Sequence, residues 1–203
     1  MTRRLSPLQE AIAEILQASP SRELIRDGFR RAAVLLPLFE TPEGPHLLVC
    51  RRTESVPTHK GQISFPGGGR QPEDADPVAT ALREAHEEVG LRPADVTVLG
   101  LLDDTVTVNS RHVVRPVVGS MPYPYPLSLD PFEIVEAIPL PLLPLLNGAP
   151  FREEIWERDG QPLPVLFYEH AGHIIWGLTA RILQDFVQLI RGPLRARGLL
   201  SGC

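Results

Sequence analysis

Gly67-Gly68-Gly69, followed by Arg83-Glu84-Ala85-His86-Glu87-Glu88-Val89-Gly90-Leu91, sets a glycine-rich turn directly ahead of a short helix that carries three carboxylates. At about 100° per residue, Val78, Leu82, Ala85 and Val89 fall in one narrow sector, an apolar face for packing on a sheet. Glu84 and Glu88 stand one turn apart and well off that sector, with Glu87 farther round. The segment therefore packs on one side and presents acid on the other. Like charges at i, i+3 and i+4 weaken a helix by about 0.2–0.5 kcal/mol per pair. Keeping all three glutamates together calls for a counter-charge, and oxygen-only ligands point to a hard divalent cation such as Mg²⁺ or Mn²⁺. A solvated acidic face is the plain alternative. The glycines count against it, because backbone approaches an ion or a phosphate closely only where side chains are absent.

Outward from this stretch, Asp76-Pro77 reads as the cap and first residue of the acidic helix, and Gly90 as its stop. Upstream, Ser6-Pro7 opens an amphipathic helix through Leu8, Ile12 and Ile15 to about residue 18. Residues 32–39 and 46–51 are apolar β-type runs separated by Thr41-Pro42-Glu43-Gly44-Pro45, hence a hairpin. A short strand over 62–65 leads into the glycines. Downstream, strands are expected over 96–107 and 112–119, then a proline-rich connection over 121–127 and an apolar run from Ile134. Segments 151–157 and 165–170 read as a second hairpin turning at Asp159-Gly160, and 178–190 as a closing amphipathic helix. Strands interleaved with few helices imply a mixed α/β sandwich in a single domain spanning 1–203.

Composition narrows the function classes. Over 203 residues, 43% are apolar and the formal net charge is −5, which suits a soluble protein with a real core and not a general nucleic-acid binder. The run from Ile134 to Leu146 is broken by Pro139, Pro141 and Pro144, so no segment reads as a membrane span. The start, Met1-Thr2-Arg3-Arg4-Leu5, lacks the apolar block of a secretory signal, and the expectation is a cytoplasmic protein. Cys50 and Cys203 are too distant in sequence to suggest a disulfide framework. Lys60 is the single lysine among 20 basic residues, a skew that reads as coding bias.

Residues Arg83 to Leu91 resemble the Nudix signature, in which a glycine is followed after five residues by a glutamate. Seven residues later the signature closes with Arg-Glu-apolar-x-Glu-Glu-x-Gly-apolar. Ala85 stands at the first apolar position. Counting back, Gly69 meets the glycine, but Ala75 stands where the glutamate belongs. Glu73 and Asp76 flank it, and either can serve as the acidic partner of Arg83. The stretch from Arg51-Arg52-Thr53 through His59-Lys60-Gly61-Gln62-Ile63-Ser64-Phe65-Pro66-Gly67-Gly68 is similar to the upstream motif of the coenzyme A pyrophosphatase branch of that family. Leu101-Leu102-Asp103-Asp104, Arg115-Pro116-Val117-Val118-Gly119 and Ile175-Trp176-Gly177-Leu178-Thr179-Ala180-Arg181 are similar to that branch too.

This resemblance implies an α/β/α sandwich around a mixed sheet, with a core of about 30–190. An N-terminal helical extension over 1–29 and a C-terminal helix complete it. It also implies hydrolysis of the diphosphate of coenzyme A or a derivative to 3′,5′-ADP and 4′-phosphopantetheine. Glu84, Glu87 and Glu88 would hold Mg²⁺ or Mn²⁺, with Gly68 or Gly69 adding a backbone carbonyl; the cation neutralises diphosphate charge and lowers the pKa of bound water. Glu84, Glu133 and Glu136 are the candidates for a general base, and Glu136 is counted with the three helix glutamates as catalytic. Arg51, Arg52, His59 and Lys60 are candidates for phosphate binding, with Gln62 and Ser64 lining the substrate or simply alternating with Ile63 and Phe65.

Other residues take duller readings. Trp156, Trp176, Phe167 and Tyr168 read as core or dimer packing, and His112, His170 and His173 are not spaced for zinc. The expected partner is a small molecule, not nucleic acid or membrane, bound by a monomer or homodimer. The competing functions are a Nudix hydrolase of ADP-ribose or another nucleoside diphosphate derivative, and a silent nucleotide-binding regulatory module.

Overall fold

The computed structural model describes residues 4–54, 61–107, 110–158 and 160–200. Helix α1 (Pro7–Ala18) begins with a capping box, Ser6 Oγ accepting the Gln9 backbone N–H at 3.2 Å while Gln9 Oε1 accepts that of Ser6 at 3.2 Å. Strands β1 (Arg30–Thr41) and β2 (Gly44–Arg52) form the expected hairpin, Thr41 pairing with Gly44 across a two-residue turn. Two short strands follow, β3 (Ile63–Ser64) and β4 (Gly67–Gly69). Helix α2 (Pro77–Val89) is the acidic helix, capped by the Asp76 side chain on the Ala79 N–H and ended by Gly90 at φ 71°.

The run expected as one strand over 96–107 is two, β5 (Thr97–Leu101) and β6 (Thr105–Thr107). Asp103 and Asp104 interrupt it because their carboxylates turn away to bind the 22–24 segment: Asp103 accepts from the Arg22 N–H at 2.7 Å, and Asp104 from Leu24 at 2.8 Å. Then come β7 (His112–Ser120), β8 (Ile134–Pro141), the short α3 (Leu143–Leu146), β9 (Arg152–Arg158), β10 (Gln161–His170) and β11 (His173–Trp176). Helix α4 (Leu178–Ala196) runs past the expected end at Ile190 and through Pro193. Asp159, within the turn read from the sequence, lies outside the described residues, as does Cys203; Cys50 is a buried free thiol.

Among the described residues, eight strands form one mixed sheet in which β1 runs parallel to β7 and antiparallel to β2 and β4. Strand β2 also pairs with β3 and β8. Alternation along β1 and β2 sorts the core onto two faces. Leu36, Leu38, Leu47 and Val49 point to the side covered by α1 and α4, whereas Ala33, Leu35, Leu48 and Cys50 point to α2 through Ala81, Ala85 and Val89. The result is an α/β/α sandwich. A separate three-stranded sheet, β9-β10-β11, packs Leu166, Tyr168 and Ile175 into the α4 side.

Candidate active site

Glycine at 67 and 68 is what brings β4 and α2 together. A Cβ on Gly67 would fall 2.5 Å from the Ala33 carbonyl oxygen, and one on Gly68 would sit 2.6 Å from either carboxylate oxygen of Glu84. With no side chain there, the turn lies directly over the acidic face. The Gly67 N–H donates to Glu88 Oε2 at 3.0 Å, while Arg52 Nη1 donates to Glu88 Oε1 at 2.8 Å. Glu88 is thus almost fully enclosed, its side chain 3% exposed. Burial pushes its carboxyl up to about 7 against the opposing pull of Arg52.

Arg52 spans the site. Its Nη2 donates to Glu133 Oε2 at 2.9 Å, so one guanidinium ties α2 to the entrance of β8, and its Nε is buried with no hydrogen-bond partner among the described residues. Arg83 holds the other end: Nη1 reaches Glu84 at 2.8 Å and Glu87 at 2.9 Å, and Nη2 reaches the Gly69 carbonyl at 3.0 Å. Burial raises the Glu84 carboxyl; Arg83 opposes that rise, and the nearby charges of Glu87 and Glu133 add to it.

The acidic partner of Arg83 is neither Glu73 nor Asp76 but Asp74, whose two oxygens accept from Nε and Nη2 at 3.0 Å each. Asp76 is occupied as the helix cap, and Glu73 is exposed. The turn through Pro72 explains the choice. The Asp74 N–H donates to the Gln71 carbonyl at 3.1 Å and the Gln71 N–H to Asp74 Oδ2 at 2.8 Å, which folds the carboxylate inward. The turn at Pro72, closing on Asp74, is the signal in the sequence that points to this carboxylate.

The expected residues divide between two faces of the main sheet. Glu84, Glu87, Glu88, Arg52 and Gly68 gather on the α2 side, joined by Glu133. Glu136 pairs instead with Arg51 at 3.0 Å and lies 4.0 Å from His173, opposite Arg51 in the β2–β8 register. Gln62 and Ser64 lie on the chain beside β2: the Gln62 carbonyl accepts from the Arg52 N–H at 2.9 Å, and Ser64 pairs with Cys50. His59 and Lys60 lie outside the described residues. Four glutamates over two guanidinium groups leave a surplus of negative charge, and the donors are all oxygen, which fits a hard divalent cation. Among the described residues no three acidic or histidine side chains already converge as a ligand set; Glu84 and Glu88 are turned to arginines, which a cation would have to replace.

A family model for the NUDIX domain matches residues 28–157. The chain belongs to the Nudix family. It is 38% identical over 176 residues to the Nudix hydrolase NudL of Photorhabdus laumondii, covering 87% of this chain and 93% of that one. NudL of Yersinia pestis is 37% identical over 161 residues, 79% of this chain and 80% of its own. Among solved structures, a MutT/nudix family protein from Enterococcus faecalis aligns over 97% of this chain and 81% of its own, at TM-score 0.49 and 17% identity. No helix among the described residues is long and apolar enough to cross a membrane.

Proposed function

We propose that this Nudix chain hydrolyses the diphosphate of coenzyme A, or of a derivative, to 3′,5′-ADP and 4′-phosphopantetheine with Mg²⁺ or Mn²⁺. The observation that carries the chemistry is the closing of the glycine turn over Glu84 and Glu88, with Arg52 and Arg83 at either end. The sequence motif from Arg51 to Gly68 supports the choice of coenzyme A, and its described part pairs with β2 through Ile63 and Ser64.

Glu84 and Glu88 are the assigned principal ligands, with Glu87 at the exposed rim. The cation supplies charge neutralisation of the diphosphate and a more acidic bound water. Arg52 orients Glu88 and Glu133 together, so both carboxylates face the same space. Glu133, half-exposed and held by Arg52, takes the role of general base toward the attacking water in this reading. Water adds at one phosphorus, the bridging P–O bond breaks, and the second phosphate leaves. Glu136, fixed by Arg51 on the other face, then acts as a structural anchor for β2 and β8.

Purified protein with either ion should convert coenzyme A, measured as kcat/KM beside dephospho-coenzyme A and ADP-ribose. Glu84→Gln and Glu88→Gln should each lower kcat by about 10²–10⁴. Faster turnover of ADP-ribose would move the chain to the second substrate class while leaving the chemistry in place. Binding of nucleotides without turnover of any of them would support the regulatory module instead.

A further inference from the structure

The sheet β9-β10-β11 buries one face against α4 and turns the other outward, and that outer face is aromatic. Phe167 and Trp176 are direct cross-strand partners with rings 6.2 Å apart and 15° from parallel. Trp156 meets Trp176 at 5.6 Å, and the Arg152 guanidinium lies 4.4 Å over the Phe167 ring. Of the four aromatics that the sequence suggests as core or dimer packing, Tyr168 alone is buried; Trp156 is 42% exposed and Ile174, on the same face, 51%. Phe167 and Trp176 line an open cleft of about 550 Å³ together with Arg51, Gln62, His173 and Ile174.

We infer that this cleft is the recognition subsite for the nucleoside end of the substrate, a planar base stacking on Trp176 with a phosphate within reach of Arg51. It deepens the proposed hydrolase reading and rests on it. Stacking on an aromatic platform suits any base, since every base has a π face, whereas a closed protein partner would need a larger complementary area. A phosphorylated ligand finds a donor here: among the described residues Arg51 gives one N–H to Glu136 from a guanidinium that carries five, and His173, 4.0 Å from Glu136, lines the same cleft. The position favours a substrate over a second copy of the chain. Arg51 lines this cleft, and its chain neighbour Arg52 braces Glu88 on the other face of the sheet, so consecutive residues of β2 serve the two places.

Both tryptophans of the chain belong to this cluster, so intrinsic fluorescence reads the subsite without catalysis. Titrating the intact protein with adenosine 3′,5′-bisphosphate should give saturable quenching that inorganic pyrophosphate does not give. Trp176→Ala should raise KM about tenfold, the loss of one base stack, with a much smaller change in kcat, and Trp176→Phe should recover part of it. Ile174→Asp, at an exposed position outside the core, should raise KM as well and serves where Trp176→Ala misfolds. Absence of saturable quenching, or unchanged KM in both Trp176→Ala and Ile174→Asp, overturns the subsite and leaves the hydrolase reading standing. Quenching without hydrolysis of any nucleoside diphosphate keeps the subsite and removes the hydrolase. A dimer in sedimentation that Ile174→Asp dissociates, with no quenching of the wild type, makes this face a contact between copies and overturns the subsite.

Discussion

Asp74 meets Arg83 through two parallel charge-assisted hydrogen bonds, and this pair fixes the direction in which Arg83 reaches Glu84 and Glu87. The arginine foremost holds the Asp74 carboxyl well below the usual carboxylate range. Asp74→Asn should lower stability by about 2–3 kcal/mol, the scale of a lost hydrogen bond to a charged partner at a poorly exposed site. The midpoint of urea denaturation reads it, and Glu73→Gln should leave that midpoint in place. The glycines separate packing from function. A Cβ at Gly67 meets backbone, which cannot move cheaply, so Gly67→Ala should destabilise the fold. The atoms nearest to a Cβ at Gly68 are the carboxyl end of Glu84, so Gly68→Ala should keep the melting temperature within a few degrees while kcat falls at least about tenfold.

At the scale of the element, α2 is held at both ends by the chain around it. Asp76 caps its start, and Asp76→Ala should cost about 1 kcal/mol in chemical denaturation. Its last carbonyls are covered by the connection that follows the proline-rich segment: the Ser128 N–H donates to Val89 at 3.0 Å and that of Asp130 to Glu88 at 2.9 Å. Gly90 makes this return possible, with φ 71° and Ser128 backbone 3.0 Å from where a Cβ would stand. Gly90→Ala should therefore cost more than the cap, in excess of about 1 kcal/mol. It should also lower kcat, because the same connection carries Glu133 to Arg52.

Over the whole molecule, the break between β5 and β6 ties the N-terminal segment to the sheet. Asp104, its side chain fully buried, accepts from Arg115, from the Leu24 N–H and from Arg31 at 2.9 Å, and Arg115 reaches Ser21 at 3.0 Å. Burial alone would raise the Asp104 carboxyl, but these donors outweigh it and hold the group below its usual value. A depressed carboxylate contributes stability that is complete above its unfolded pKa of about 3.9 and lost as pH falls through the folded value. Unfolding free energy should thus decline below about pH 4, and the slope of that decline should be shallower in Asp104→Asn.

Capping residues, apolar alternation and the run Arg83 to Leu91 are local signals, and they determined the two ends of α1 and α2, the first hairpin, the layered α/β class and the helix glutamates. The sequence by itself could not decide which carboxylate answers Arg83 or which of Glu133 and Glu136 faces the helix. Those choices depend on how a proline turn folds inward and on which side of β2 successive side chains emerge. The outward aromatic face of β9-β10-β11 was equally hidden, because apolar residues on a two-sided sheet read alike whether they meet a helix or open space. Tertiary packing against α4 decided that only one side is covered.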